Sequence, residues 1–150
     1  MLIHRPLQAM KKELEANEGL QDILGDNIGK LITYKPTLNA SELNEIDSAE
    51  HFITLSVYKI SELENHSSWV IKAGVAVSFD RNPEQKVVDI SIMKNEVIRV
   101  LTQEDRIFGF AEDIEFTESE ESFFDNEQRL WGYILFFVVK DDRLKTSITS

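Results

Sequence analysis

An alternating run of apolar residues between positions 69 and 79 constrains the fold of this chain more than any other sequence feature. Every second position of the run is apolar, and the positions concerned are Trp69, Ile71, Ala73, Val75, Val77 and Phe79. Successive side chains of a β-strand point to opposite faces of the sheet, so six consecutive matches to a period of two predict a strand. Residues 51–60 are rich in β-branched and aromatic types and predict a second strand. The polar residues 61–68 between them indicate a hairpin turn.

Two other segments have helical periodicity. Apolar residues follow Pro6 at spacings of three and four, which predicts an amphipathic helix over residues 5–18. Asn82-Pro-Glu-Gln has the signature of a capping box, in which Asn82 caps the helix and Gln85 reaches back to the cap. Apolar residues then recur at helical spacing and predict a second helix over residues 83–103.

The remaining segments complete the pattern. Residues 20–28 predict a short helical turn broken by glycines, residues 31–34 a short strand, and residues 36–50 a long polar excursion. Ile114 and Phe116 alternate with charges and predict another strand, and the acidic residues 118–121 are interpreted as a solvated hairpin tip. The segment 130–140 is apolar on both faces, which is typical of a central strand or of a strand with one face on a partner.

This order of elements predicts an α+β fold with a mostly antiparallel sheet of four to five strands and two main helices packed on one face. Residues 1–140 are expected to form a single domain, followed by a polar C-terminal tail at 141–150. The predicted core comprises Leu55, Val57, Val75, Val77, Val97, Leu101, Leu135 and Phe137.

Composition excludes several classes of function. The chain has no Cys, and its three histidines lack the spacing that places two metal ligands on one helical face. The formal charge of −11 argues against wrapping a nucleic-acid backbone, and the longest apolar run, seven residues, is far shorter than the ~20 of a membrane-spanning helix. No phosphate-binding loop or nucleophile elbow is present. We therefore predict no catalytic, cofactor-binding or metal-ligating residue and no cofactor.

Apolar residues near the acidic stretch are candidates for a protein interface. Phe123 and Phe124 lie in what the sequence indicates is an acidic loop, where large apolar side chains either fold back on the core or meet a partner. Trp131 and Tyr133 begin the doubly apolar last segment. Trp69 and Trp131 each begin a regular strand and fit core or cross-strand positions, but Trp131 and Tyr133 are kept as interface candidates with the two phenylalanines.

The order of elements resembles that of the tail terminator, minor tail and tail-completion proteins of long-tailed bacteriophages. The similarity rests on an N-terminal helix, the strand Phe52-Ile-Thr-Leu-Ser-Val-Tyr, the Trp-led strand that starts at Ser68, a helix, and the last strand, Leu130-Trp-Gly-Tyr-Ile-Leu-Phe-Phe-Val-Val. It covers residues 50–140 closely and the N-terminal helix loosely. The segment 20–50 is more elaborate than in the simplest members of that family.

The resemblance implies a non-enzymatic phage or prophage structural protein, assembled in the bacterial cytoplasm and located in the virion tail. Six copies would form a ring that caps the tail tube, ends its polymerisation and provides the surface for head attachment. The implied partners are further copies of the chain, the tail tube protein and a head-completion or connector protein, while DNA passes through without specific binding and no membrane is involved. Two alternatives remain: another head-to-tail connector or neck component, and a small bacterial ligand-binding or catalytic α+β domain, for which a deep apolar pocket would be the sign.

Overall fold

A computed structural model describes residues 4–34, 50–62, 67–102, 113–126 and 129–141 of the chain. Its helices are α1 (His4–Glu15), α2 (Glu18–Leu24), α3 (Ile28–Leu31) and α4 (Pro83–Thr102), and a 3₁₀ turn (Gly25–Asn27) joins α2 to α3. Its strands are β1 (Ile32–Thr33), β2 (His51–Glu62), β3 (Ser67–Ser78), β4 (Asp113–Asp125) and β5 (Leu130–Asp141).

The five strands form one sheet in the order β1-β2-β3-β5-β4. β1 runs parallel to β2, and the other three pairings are antiparallel. Helices on a mostly antiparallel sheet confirm the predicted α+β class. The predicted hairpin is also confirmed, with longer strands than expected, since Ser61 pairs with Ser68 and Glu62 with Ser67. β5 lies between β3 and β4, which makes it the central strand that its doubly apolar sequence indicated.

The start of the chain is more segmented than one helix over 5–18. α1 ends at Glu15, and Asn17 begins α2 as its N-cap by accepting a hydrogen bond from the Leu20 amide at 2.9 Å. α2 ends at Gly25, whose φ of 77° is a conformation that few residues other than glycine adopt easily. The predicted excursion 36–50 lies outside the described residues except for Glu50. The predicted tail also lies outside them except for Asp141, which belongs to β5.

The core lies between one face of the sheet and the helices α1, α2 and α4. Directly paired residues of β3 and β5 share a face, and Ala73 with Leu135 and Ile71 with Phe137 are fully buried pairs on the helix face. All the predicted core residues are buried except Val57, which is partly buried beside the β-bulge of β2. The helices contribute Leu7, Met10, Leu14, Leu20, Ile90, Met93, Val97 and Leu101. Burying one such side chain stabilises the fold by about 1.5 to 3 kcal/mol.

The opposite face of the sheet is also apolar. Phe52 and Ala76 are buried there, and Ile134, Phe136 and Val138 are half-buried. The bulge in β2 places Tyr58 edge-on to Phe136, with the ring centroids 5.3 Å apart. The sheet therefore has an apolar layer on each side, and the helices occupy one of them.

The capping box predicted at the start of α4 is wrong. The Asn82 carbonyl accepts the first helical hydrogen bond, from the Lys86 amide, but the φ of Asn82 is 48° instead of the extended value of a typical N-cap. Gln85 donates its side-chain hydrogen bond forward to Asp89 at 2.9 Å, so it does not complete the box. The Gln85 side chain instead bonds to a residue one turn further along the same helix face.

Candidate protein-interface residues at the end of the sheet

The four candidate interface residues lie on two neighbouring strands, β4 and β5. Phe123 pairs with Gly132, Phe124 pairs with Trp131, and Tyr133 lies opposite Ser122. Phe123 and Phe124 are therefore in a strand, and the prediction that they lie in a loop is wrong. β4 continues through the acidic stretch because it is an edge strand whose charged side chains can face water while its backbone bonds to β5.

The acidic residues 118–121 are likewise inside β4 and do not form a hairpin tip. The register of β4 against β5 shifts between Phe116 and Glu120, which marks a β-bulge within this stretch. Charges and a bulge on an edge strand both disfavour pairing with a foreign strand. The turn between β4 and β5 lies instead after Asp125.

The four residues do not form one patch. Paired residues share a face, so Phe124, Trp131 and Tyr133 lie on the helix face of the sheet and Phe123 lies on the opposite face, over Gly132. Trp131 and Tyr133 are partly buried against the core, with ring centroids 6.1 Å apart. The candidate residues of β4 and β5 therefore lie on both faces of the sheet.

Tyr133 is held by a side chain from α4. The Lys94 Nζ atom lies 4.6 Å from the centre of the Tyr133 ring and 3.1 Å from Glu120 Oε2. A cation over an aromatic face is attracted by the ring quadrupole. Lys94 therefore ties the middle of α4 to both β4 and β5, and it orients Tyr133 within that contact.

Phe124 has the most solvent contact of the four, with 60% of its surface exposed. Its ring stacks on Phe79 with a centroid distance of 4.7 Å and an interplanar angle of 25°. The guanidinium carbon of Arg129 lies 4.2 Å from the centre of the Phe79 ring, and Arg129 Nε donates to Asp80 Oδ1 at 2.9 Å. We call Phe79, Asp80, Phe124 and Arg129 the sheet-end stack.

The backbone fixes the sheet-end stack as well. The Phe79 amide donates to the Arg129 carbonyl at 3.1 Å, which extends the pairing of β3 with β5 by one residue. Arg129 has a φ of 57°, in the left-handed region that non-glycine residues seldom occupy. The sequence pattern placed Phe79 and Asp80 at the end of a strand, and it indicated no interface role for Phe79, Asp80 or Arg129. The period-two pattern puts Phe79 on the helix face, but no local pattern signals the conformation of Arg129.

A polar network joins the start of β2 to α4. His51 Nε2 lies 2.8 Å from Asp89 Oδ2, and the Lys86 Nζ atom lies 3.3 Å from Glu50 Oε2. Lys86 is only 3% exposed, and it also donates to the Arg81 carbonyl at 2.9 Å. Buried charges are tolerated when they are paired and hydrogen-bonded in this way. The network therefore positions α4 on the sheet.

The same network stabilises the ionised form of Asp89. Burial opposes ionisation, but hydrogen bonds from Gln85 and His51, together with the nearby His51 and Lys86, outweigh that effect. The pKa of Asp89 consequently lies below its usual value.

The described residues line clefts at both ends of α4, and two of these are open to solvent. One, of about 430 Å³, lies between the α1–α2 turn and α4 and includes Glu13, Asn17, Glu96 and Arg99. A hydrogen bond from Arg99 lowers the pKa of Glu96, partial burial opposes the shift, and a hydrogen bond from Asn17 adds to it. The other cleft, of about 770 Å³, lies at the start of α4 and includes residues 82–85 and Val88.

Neither cleft has the character of a metal site. Across the ranges that the structure describes, no group of three or more His, Asp or Glu side chains could hold a metal ion. Within the same ranges, no helix is long and apolar enough to cross a membrane.

The fold and these residues define an α+β domain whose candidate site consists of apolar contact groups. No family model matches the sequence, and no curated protein matches it. Among solved structures, the chain is similar to a chain of the virion of the native gene transfer agent particle. The TM-score is 0.56 at 11% identity, and the match covers 89% of this chain and 92% of that chain. The likeness shows a shared fold over nearly the whole length of both chains.

Proposed function

We propose that this chain is a structural protein of a phage or phage-like particle, of the tail terminator type. In this role six copies form a ring on the end of the tail tube, stop its polymerisation and provide the surface to which the head attaches. The partners are other copies of the chain, the tail tube protein and a head-completion protein. The role is assembly and involves no catalysis or cofactor.

The observation that carries the proposal is the fold likeness to a virion chain. It spans 89% of this chain and 92% of the other, so the similarity covers the whole fold of both proteins and is not limited to a fragment. The neighbour belongs to a gene transfer agent particle, which supports a virion role in general. The order of helices and strands over residues 50–140 supports the tail terminator type in particular.

The charge and the apolar surfaces agree with this role. A ring needs contacts that are heterologous and that close on themselves, and the sheet carries an exposed aromatic residue on each face, Tyr58 and Phe124. A ring at the end of a DNA-filled tube must also let DNA pass without binding it. The net charge of −11 favours this because like charges repel phosphates.

A neck or head-to-tail connector is the second candidate. The same likeness favours it equally, since the neighbour is described by its whole virion and not by its position within the particle. A ligand-binding role receives no support from the two clefts described above, because both are open to solvent and neither is a deep apolar pocket.

The mass of the assembly tests the ring. Light scattering over a range of protein concentrations is expected to show a species of six times the chain mass, and negative-stain electron microscopy is expected to show rings. A parallel sample contains the tail tube protein encoded in the same gene cluster. There we expect the rings to cap the ends of short tubes and to limit their length.

Two results would count against the terminator role. One is a strict monomer at every concentration, both alone and with the tube protein. The other is binding to the portal-side connector of the cluster with no effect on tube length, which would move the assignment to the neck.

A further inference from the structure

We propose that the sheet face opposite the helices docks on the outer side of α4 of a second copy of the chain. In this contact Tyr58 of one copy enters the cleft at the start of α4 of the next copy, and Lys72 meets Glu84. The inference rests on the proposed ring and deepens it, because it names the two surfaces through which neighbouring copies bind.

Tyr58 is the most exposed aromatic residue on the sheet face opposite the helices, with 59% of its surface in solvent. Its ring lies edge-on to Phe136 at 5.3 Å, although β3 lies between their two strands. The Tyr58 ring therefore leans across β3 and is held by Phe136. Tyrosines that a partner desolvates are frequent anchors of protein interfaces, and an anchor that is already oriented loses less entropy on binding.

Lys72 gives the same face a positive charge. It pairs with Ser56 on β2 and with Phe136 on β5, so its side chain rises from the middle of this face. Lys72 is partly buried, and within the described ranges no carboxylate pairs with its ammonium group. Covering an unpaired charge costs free energy. A surface that docks here must therefore bring a carboxylate to Lys72.

The outer side of α4 carries the matching groups. Ile90 and Met93 turn toward the sheet and are buried, whereas Val88 and Ile92 are 51% and 40% exposed. Val88 and Ile92 are one helical turn apart, and Glu84 lies one turn before Val88, so these three side chains share one side of the helix. We call them the α4 ridge. Glu84 is exposed, and its carboxylate has no partner among the described residues.

A cleft of about 770 Å³ opens beside the α4 ridge. The residues that line it are Asn82, Pro83, Glu84, Gln85 and Val88. Its lining is both polar and apolar, which suits tyrosine, because the tyrosine ring is apolar and its hydroxyl both donates and accepts hydrogen bonds. Tyr58 of a neighbouring copy therefore has a receiving site next to the carboxylate that Lys72 needs.

The two surfaces lie on opposite sides of the molecule. α4 packs on one face of the sheet with the α4 ridge directed away from it, and Tyr58 and Lys72 lie on the other face. One copy can use both surfaces at once, each with a different neighbour, and such a heterologous contact gives a ring when its rotation closes. The pair of Lys72 with Glu84 also opposes the repulsion between copies that each carry a charge of −11.

Cross-linking through introduced cysteines tests the contact directly, because the chain has no cysteine of its own. The test variant combines Ser56→Cys, beside Lys72, with Val88→Cys on the α4 ridge, and a short bismaleimide reagent is added. We expect a ladder of covalent oligomers that ends at six copies. The control combines Ser56→Cys with Asp22→Cys, an exposed position on α2, and should give no ladder.

Charge reversal gives a second, independent measurement. We expect Lys72→Glu and Glu84→Lys each to weaken self-association about tenfold or more in sedimentation equilibrium, because each places like charges in contact. The variant with both changes keeps the net charge of −11 and should associate about as well as the wild type. Lys30→Glu reverses an exposed lysine on α3 and is the matched control, which should have little effect. Circular dichroism confirms that all variants fold.

The outcomes separate this inference from the proposed ring. If the wild type forms rings but the cysteine pair gives no ladder and the double reversal gives no rescue, the ring stands and the assigned surfaces are wrong. If the ladder continues past six copies, the contact stands and the closed ring fails. A chain that stays monomeric and gives no ladder, alone and with the tube protein, overturns both.

Discussion

Gly132 shows, at the scale of single residues, how closely β3 and β5 approach each other. A Cβ atom placed there would collide with the Val75 carbonyl oxygen and lie 2.9 Å from Ala76 Cα. These are backbone atoms in the interior of a sheet, so they cannot swing aside as the end of a flexible side chain can. We expect Gly132→Ala to lower the free energy of unfolding by about 1 to 3 kcal/mol, measured by urea denaturation.

Gly29→Ala is the matched control for that substitution. A Cβ at Gly29 would meet Glu15 Oε1 at 3.5 Å, an ordinary contact, and alanine favours the helix by up to about 1 kcal/mol. The control should be neutral or slightly stabilising. Equal effects at the two glycines would show that β5 can shift away from β3 at little cost.

Single-residue conformations were the part of the structure that the sequence predicted least. Asn82 and Arg129 have φ values of 48° and 57°, and although Asn is more common than most residues in the left-handed region, no sequence pattern predicts this conformation at Arg129. The capping box at Asn82 also failed, since the Gln85 side chain bonds forward to Asp89 and not back to the Asn82 amide. Such choices depend on which partner is nearest in three dimensions, and short sequence patterns do not contain that information.

At the scale of elements, hydrophobic periodicity predicted the strands and helices that bury one face. The alternation in β3 and the helical spacing in α4 gave both elements to within two residues, because one face of each is buried. β4 was recognised only at its start. The middle of β4 is charged and lies at the edge of the sheet. Backbone hydrogen bonds to β5, and not burial of side chains, hold this part of the chain as a strand. Because of this pairing, Phe123 and Phe124 lie in a strand and not in the predicted loop, and their side chains point to opposite faces of the sheet.

The contact between β2 and α4 depends on ionised Asp89, which leads to a prediction about pH. The carboxylate is 14% exposed and hydrogen-bonded to His51 and Gln85. We expect Asp89→Asn to lower the free energy of unfolding by about 1 to 3 kcal/mol at pH 7, the range for hydrogen bonds to charged groups. Because the folded-state pKa lies below the ordinary value of 3.8, this contribution is complete above that value and disappears as pH falls through the folded-state pKa.

Urea unfolding of wild type and variant at pH 7 and near pH 2.5 measures this effect. The difference between the two proteins should be large at pH 7 and small in acid. Asp22→Asn, which removes an exposed carboxylate on α2, serves as the control and should cost little at either pH. A difference for Asp89→Asn that persists unchanged in acid would mean that the carboxylate acts through packing and not through its charge.

At the scale of the whole molecule, the sequence predicted the class of fold, and the four candidate interface residues stay a prediction. Phe124 and Trp131 are neighbours across β4 and β5, as a shared interface requires, but Arg129 and Asp80 join them only through the folding of two distant turns. Sites made of apolar contact groups are hard to find in one sequence because cores use the same residue types. Fold likeness across 89% of the chain shows a shared architecture and does not locate the interface residues.

The charge of −11 per copy makes the proposed ring sensitive to salt. Raising ionic strength from about 0.05 M to about 0.5 M shortens the Debye length severalfold and screens the repulsion between copies. We expect self-association, followed by sedimentation velocity, to strengthen over this range. Self-association that weakens with salt would instead mean that oppositely charged surfaces hold the copies together. The acidic edge strand β4 would then face a basic surface of the next copy.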